Sequence, residues 1–315
     1  MFNRKTEGLI AAPFTPMQPD RALNLNAVDH YARWLHQNRV VGAFICGTTG
    51  ESMSLTIDER RQLAERWLAA APAGLRIIIH VGQCSLADCR ALAAHAQSIG
   101  ADSIACIAPF FFKPDGVSGL VDWCEQVAAA APQLPFYYYH MPSMTGVSVK
   151  VREFLRLAGK RIPNLAGIKF TFEDLEDYER CLHLEDGRFD ILFGRDELLL
   201  SALELGARGA VGSTYNYAAP LYQALIMAYD QGDCSKAAEL QALAVRMIDA
   251  FRDCGTRSLP AFKWFMSRVG INCGPVRLPL YDPTPEQIAA LESRLEASGI
   301  FAWVKRKSAP AAVTS

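Results

Sequence analysis

Asn164-Leu-Ala-Gly-Ile-Lys169-Phe-Thr171 holds a short apolar run, Leu165–Lys169, that ends on a cation. Its length and lack of polar alternation predict a strand buried on both faces, the kind that parallel sheets use. Seven other runs share this character: Gly8–Ala12, Val41–Cys46, Arg76–Val81, Ser103–Ile107, Pro135–Tyr139, Asp190–Phe193 and Gly209–Gly212. Between them lie segments of helical spacing: Leu25–Gln37, Ile57–Ala71, Leu86–Ile99, Val117–Ala130, Val149–Leu157, Glu173–Leu182, Glu197–Leu205 and Pro220–Tyr229. Eight strands, each followed by a helix, make the count of a (β/α)8 TIM barrel of the α/β class. Glycines at Gly74, Gly100 and Gly206 stand where helices should stop ahead of the third, fourth and eighth strands.

After about residue 232 the strand pattern ends. Ser235–Phe251, Ser258–Val269 and Thr284–Ala297 read as three more helices, the last opening on a Thr-Pro-Glu cap. The expected organisation is a barrel over 1–232 that carries the active site, then a C-terminal three-helix extension over 233–304 packed against it. A disordered tail is expected over 305–315.

Composition narrows the function classes. Of 315 residues, 50% are hydrophobic and 21% charged, which suits a core-rich globular chain. Lys plus Arg number 32 against 33 Asp plus Glu, so no electrostatic argument points to nucleic acid or to an anionic membrane. No apolar stretch approaches the ~20 residues of a membrane helix. The start, Met1–Ile10, lacks the long apolar core of a signal peptide. The nine cysteines are scattered, without Cys-x-x-Cys or zinc spacing. Reduced, mostly buried thiols in a cytoplasmic protein are expected, with no dedicated metal site.

A cation at the end of a buried strand is costly unless it is paired or gives up its proton. Desolvation lowers a lysine from its ordinary pKa of ~10.4 and frees the amine to attack a carbonyl and form a Schiff base. The plainer alternative is a lysine whose stem packs while its head reaches water. The company of Lys169 decides between them, because barrel enzymes place their chemistry where strands end. After the second strand comes Gly47-Thr48-Thr49-Gly50-Glu51. Two glycines flanking two hydroxyls let backbone N–H groups converge on a carboxylate or phosphate, though an ordinary turn reads the same way. The fifth strand ends in Phe136-Tyr-Tyr-Tyr-His140, where alternation puts Tyr137 and Tyr139 on one face and Tyr138 on the other. Core filling suits Tyr137 and Tyr138. The sixth strand runs on to Thr171. The seventh runs into Gly194-Arg-Asp196-Glu197, two acids able to bind a polyol or to charge the start of a helix. The eighth runs into Gly212-Ser213-Thr214-Tyr215-Asn216. With eight strands, all of these face one rim, and that coincidence favours a catalytic Lys169.

These motifs resemble the N-acetylneuraminate lyase family, within the wider dihydrodipicolinate synthase-like superfamily of class I aldolases. The matching stretches are Gly47–Glu51, Tyr138-Tyr139-His-Met-Pro142-Ser-Met-Thr-Gly146, Gly167-Ile-Lys169, Gly194–Glu197 and Gly209–Asn216. The three-helix end fits the superfamily too. The resemblance implies that Lys169 forms the imine with the C2 keto group of sialic acid or pyruvate, and that Tyr139 moves the proton as the C3–C4 bond breaks. It implies that Thr48 and Thr49 cradle the carboxylate, and that Thr171, Gly194, Asp196, Glu197 and Ser213 contact the sugar hydroxyls and glycerol chain. It implies no cofactor beyond the covalent imine, small-molecule partners (N-acetylneuraminate, N-acetylmannosamine and pyruvate), and a homotetramer. Two positions separate the lyase branch from the synthases. Met144 stands where the synthases carry an arginine for a second carboxylate, and a thioether cannot make that contact. Pro109-Phe110-Phe111-Phe112 replaces a tyrosine pair and so lacks its phenols. Arg195 departs within the lyases, either altering preference among modified sialic acids or pointing to solvent. Two alternatives stay open: a pyruvate-forming aldolase for another 2-keto-3-deoxy acid, and a sialic-acid-binding relative without turnover.

Overall fold

A computed structural model describes residues 5–255 and 258–304; the tail expected at 305–315 lies outside the described residues. Eight parallel strands close into a barrel in sequence order: β1 Gly8–Ala11, β2 Gly42–Ile45, β3 Arg76–His80, β4 Ser103–Ile107, β5 Phe136–His140, β6 Leu165–Phe170, β7 Asp190–Phe193 and β8 Gly209–Gly212. Each lies within one residue of its expected bounds. The helices are α1 Ala27–Gln37, α2 Ile57–Ala70, α3 Leu86–Ser98, α4 Gly116–Ala128, α5 Pro142–Thr145, α6 Val151–Arg161, α7 Leu175–Leu182, α8 Leu199–Glu204, α9 Tyr215–Asp230, α10 Cys234–Arg252, α11 Ser258–Phe265, α12 Pro285–Ser298 and α13 Phe301–Val304.

Local chemistry fixes several boundaries. Thr56 and Glu59 form a capping box at the start of α2, as Thr284 and Gln287 do for α12. The side-chain amide of Asn164, 4% exposed, donates to Ala131 O and Leu134 O, which closes the turn after α4 before the chain enters β5. Three expectations are corrected. The helix expected over Glu197–Leu205 divides into a 3-10 turn, Asp196–Leu198, followed by α8, because the Asp196 side chain bonds Thr214 instead of capping. The one expected from Pro220 starts earlier, at Tyr215, with a kink at Ala218 just before the proline. The one expected over Val149–Leu157 runs from Val151 to Arg161, its apolar face continuing to the buried Ala158.

Two apolar layers hold the barrel. One fills its interior with Ile10, Phe44, Ile78, Ile107, Tyr137, Tyr139, Leu192 and Val211. The other lies between strands and helices and buries Trp67, Phe154 and Tyr178 completely, each contributing about 1.5–3 kcal/mol of transfer free energy. The extension packs α10 onto α9 and α12.

One irregularity sets the direction of the key side chain. Phe136 pairs with Leu165, but Tyr137 pairs with Gly167, so Ala166 is an extra residue in β6. Ala166 faces the barrel interior and Ile168 the helices, although the two are two apart. The bulge has shifted the alternation by one, and Lys169 turns inward where an unbroken strand would turn it toward the helices. Gly167 is required beside it, since a Cβ there would collide with Asp190 O of β7.

Candidate active site

A cavity of about 690 Å³ opens at the rim where the strands end. Lys169, Tyr139, Thr48, Thr49, Thr171, Gly194, Asp196, Glu197 and Ser213 all line it, so the structure brings every residue expected from the sequence into one place.

Lys169 is 4% exposed, which removes the alternative of a head group in water. Its Nζ lies 4.0 Å from the ring centroid of Phe44 and 4.1 Å from that of Tyr139. Burial pushes its pKa down to about 7, with the Asp196 carboxylate pulling the other way. A substantial share of the amine is therefore neutral at pH 7. Burial acts oppositely on Tyr139, raising its phenol to about 12 against the pull of Thr48 and Thr171. The phenol keeps its proton at neutral pH. Thr48 Oγ1 and Tyr139 Oη lie 3.3 Å apart, and Tyr139 O–H donates to Met141 Sδ at 2.8 Å.

Thr171 presents a buried hydroxyl that lies beside the Tyr139 phenol yet completes no hydrogen bond among the described residues, which leaves it available to a ligand oxygen. Gly194 serves it by clearance: a Cβ there would strike Thr171 Oγ1. Asp196 is 5% exposed, and its Oδ2 accepts from Thr214 N at 3.0 Å and Thr214 Oγ1 at 2.5 Å. Burial raises its carboxyl to about 6 despite those donors. Asp196 therefore joins the turns after β7 and β8 as well as lining the cavity. Arg195 does not extend into solvent; it pairs with Glu173 and Glu197. The other tyrosines of β5 fill the core, as expected. Tyr137 donates to Asp190 Oδ2 at 2.9 Å inside the barrel, and Tyr138 packs on Phe154 among the helices.

Several contributors were invisible to sequence reasoning. Phe44 forms the floor beneath Lys169. His80 stacks edge-on to Tyr139, its Nδ1 2.8 Å from Cys46 O and its Nε2 accepting from Ile107 N–H. Burial and the nearby Arg60 hold its imidazolium form well out of reach at neutral pH. Arg252, Leu259 and Phe262 of the extension complete one wall. Behind the Gly47–Glu51 loop, Glu51 takes a left-handed backbone (φ 56°) and accepts from Lys263 Nζ at 2.7 Å and Arg277 N–H at 2.8 Å. Both side chains of the Glu51–Lys263 pair are 1% exposed. The only advance signals were the amphipathic spacing of the last helices and the single acid closing the loop motif. Among the described residues, no group of three or more His, Cys, Asp or Glu is arranged to hold a metal, and no helix is long and apolar enough to cross a membrane.

Comparison with known proteins agrees with this geometry. The family model described as the dihydrodipicolinate synthetase family matches residues 5–298. N-acetylneuraminate lyase A of Xenopus laevis is 44% identical over 281 residues, 88% of this chain and 92% of the relative. The human N-acetylneuraminate lyase is 41% identical over 308 residues, 96% of each chain. The solved Proteus mirabilis N-acetylneuraminate lyase superposes with a TM-score of 0.91 at 42% identity, covering 94% of this chain and all of that one. The likeness extends through the barrel and the helical extension alike, and the chain belongs to the dihydrodipicolinate synthetase family, in its N-acetylneuraminate lyase branch.

Proposed function

We propose that this chain is a Schiff-base aldolase that reversibly cleaves N-acetylneuraminate to N-acetylmannosamine and pyruvate. One observation carries the reading: an amine with a pKa near 7 is held against the ring of a protonated tyrosine, beside a hydroxyl-bearing loop, in a chain this close to known lyases. The neutral amine of Lys169 attacks the C2 keto carbon of the open-chain substrate, and loss of water leaves a protonated imine. That imine accepts the electron pair released when the C3–C4 bond breaks. Tyr139, a neutral phenol, relays the proton: it takes the one leaving the C4 hydroxyl as it passes its own to the substrate carboxylate held beside it, and the aldehyde forms. The enamine is then protonated at C3, and hydrolysis of the imine returns Lys169 and pyruvate. The lysine is itself the electron sink, so the proposed sequence draws on no separate cofactor.

The remaining roles follow the same logic. Thr48 and Thr49 hold the carboxylate through hydroxyl and backbone N–H donors. Thr171, with its unpartnered hydroxyl, and Ser213, Asp196 and Glu197 receive the hydroxyls of the sugar chain. Those polar groups favour a polyol over a shorter 2-keto-3-deoxy acid. The presence of both Lys169 and Tyr139 disfavours a binding protein without turnover.

The protein is further proposed to act in the cytoplasm as a homotetramer. Phe111 and Phe112, 76% and 85% exposed on the loop after β4, are apolar surface suited to cover by another copy. Sedimentation velocity giving a monomer would remove the tetramer. The reaction is tested by assaying pyruvate release from N-acetylneuraminate, wild type beside Lys169→Ala, with borohydride trapping. Release and a trapped adduct in wild type alone are expected. Trapping of pyruvate without release from N-acetylneuraminate would keep the aldolase chemistry and reject the substrate.

A further inference from the structure

The turn that carries Asp196 and Glu197 is gripped at two points by α10 of the extension. Gln241 accepts from Leu200 N–H at 2.9 Å and donates to Asp196 O at 3.2 Å, which fixes the backbone. One turn short of the end of the same helix's cavity-facing stretch lies Ile248, and at its last residue Arg252 donates from Nη2 to Glu197 Oε1 at 2.6 Å. Arg195 Nη2 approaches the same oxygen at 3.0 Å. Both guanidinium groups therefore fall on Oε1, and Oε2 has no protein donor among the described residues. Each arginine is also balanced by a second acid, Arg195 by Glu173 and Arg252 by Asp249. The cluster has two cations against three carboxylates, so it is no anion trap. What it does is hold one carboxylate in one rotamer, with one oxygen occupied and the other open.

We propose that Arg252, aided by Arg195, is a positioning residue for substrate specificity: it aims Glu197 Oε2 at a hydroxyl of the substrate's polyol chain. The helical extension then takes part in choosing the substrate, though it supplies no reacting group. This rests on the polyol-cleaving reading above. A carboxylate fixed in advance loses little side-chain entropy when the hydroxyl arrives, whereas a free glutamate must be ordered at that moment. Arg252 is about half exposed, so its loss costs little stability and the variant folds.

The test is Arg252→Gln, alone and in a Glu197→Gln background, with pyruvate as the control ligand that has no chain. Expected is a KM for N-acetylneuraminate raised roughly tenfold, the worth of one hydrogen bond to a charged group, with kcat held within about twofold. The half-saturation of borohydride trapping by pyruvate stays put. In the Glu197→Gln background the same change adds nothing, because the two residues act as one unit. An unchanged KM in Arg252→Gln, an undiminished effect in the double variant, or a parallel shift in pyruvate trapping overturns the positioning role while leaving the lyase reading intact. A wild type that traps pyruvate but releases none from N-acetylneuraminate overturns the lyase reading, and this proposal with it.

Discussion

Lys169 and Tyr139 are register partners on adjacent strands, β6 and β5, so the amine and the phenol ring are held together by the sheet's own hydrogen bonds. Neither depends on a loop for its place. The Ala166 bulge, three residues before Lys169, is what turns the amine to the same side as the phenol.

Lys169→Ala removes the nucleophile and leaves the barrel. No borohydride adduct and no pyruvate release above background are expected, read by intact mass and a coupled assay. Turnover near wild type would end the imine mechanism.

Tyr139→Phe keeps the ring against Lys169 and removes only the oxygen. The adduct with pyruvate should persist while cleavage slows by ~10²–10⁴, the usual loss for a proton-transfer group. An unchanged kcat would take Tyr139 out of the reaction.

The amine must be neutral to attack, and its pKa is near 7. Imine formation should therefore fall about tenfold per pH unit on the acid side of 7 and level off above it. Tyr139, held up at about 12, gives no loss between pH 7 and 10. The Asp196 charge raises the lysine's pKa, so Asp196→Asn should move the acid limb to lower pH. Stopped-flow trapping across pH 5 to 9 reads both, and a limb that stays put in Asp196→Asn rejects the coupling.

The same burial carries a stability signature. A base whose folded pKa is depressed weakens the fold fully below that pKa, and the penalty fades as pH rises toward the unfolded value near ~10.4. Lys169→Met should therefore raise Tm, and by more at pH 6 than at pH 10. Equal shifts at both pH values would show that the amine is not desolvated.

Lys263→Met leaves the almost unexposed Glu51 carboxyl without its cation, which should cost about 3–5 kcal/mol in urea melts. Pairing it with Glu51→Met should recover much of that loss. A double variant as unstable as the single would mean that packing, not charge, binds the two.

Much of this was legible in the sequence because it is local. Each strand is a short apolar run, three of them preceded by a glycine that stops the helix before, and each chemical group sits within a few residues of a strand's end, so counting strands was enough to bring Thr48, Tyr139, Lys169, Asp196 and Ser213 to one rim. What escaped is pairwise and distant. Glu51 finds Lys263 across 212 residues, and Glu197 finds Arg252 across 55. A helical period says which face of α10 or α11 is apolar, not which loop its polar end will meet. The Ala166 bulge escaped for a related reason: it exists only relative to β5, and no single-strand alternation puts both Ala166 and Lys169 inside.

The buried Glu51–Lys263 pair bears on how such a chain can be rebuilt. A protein engineer who cut the gene near residue 232, hoping to keep a portable catalytic barrel, would strip the counter-ion from an acid that water cannot reach, directly behind the threonine loop. The same holds for a chimera that borrows its last helices from another barrel: unless the donor supplies a cation at the place of Lys263, the graft fails at its seam. A crossover that parts Glu51 from Lys263 leaves a buried acid without its cation, so the two must travel together in any such rebuild.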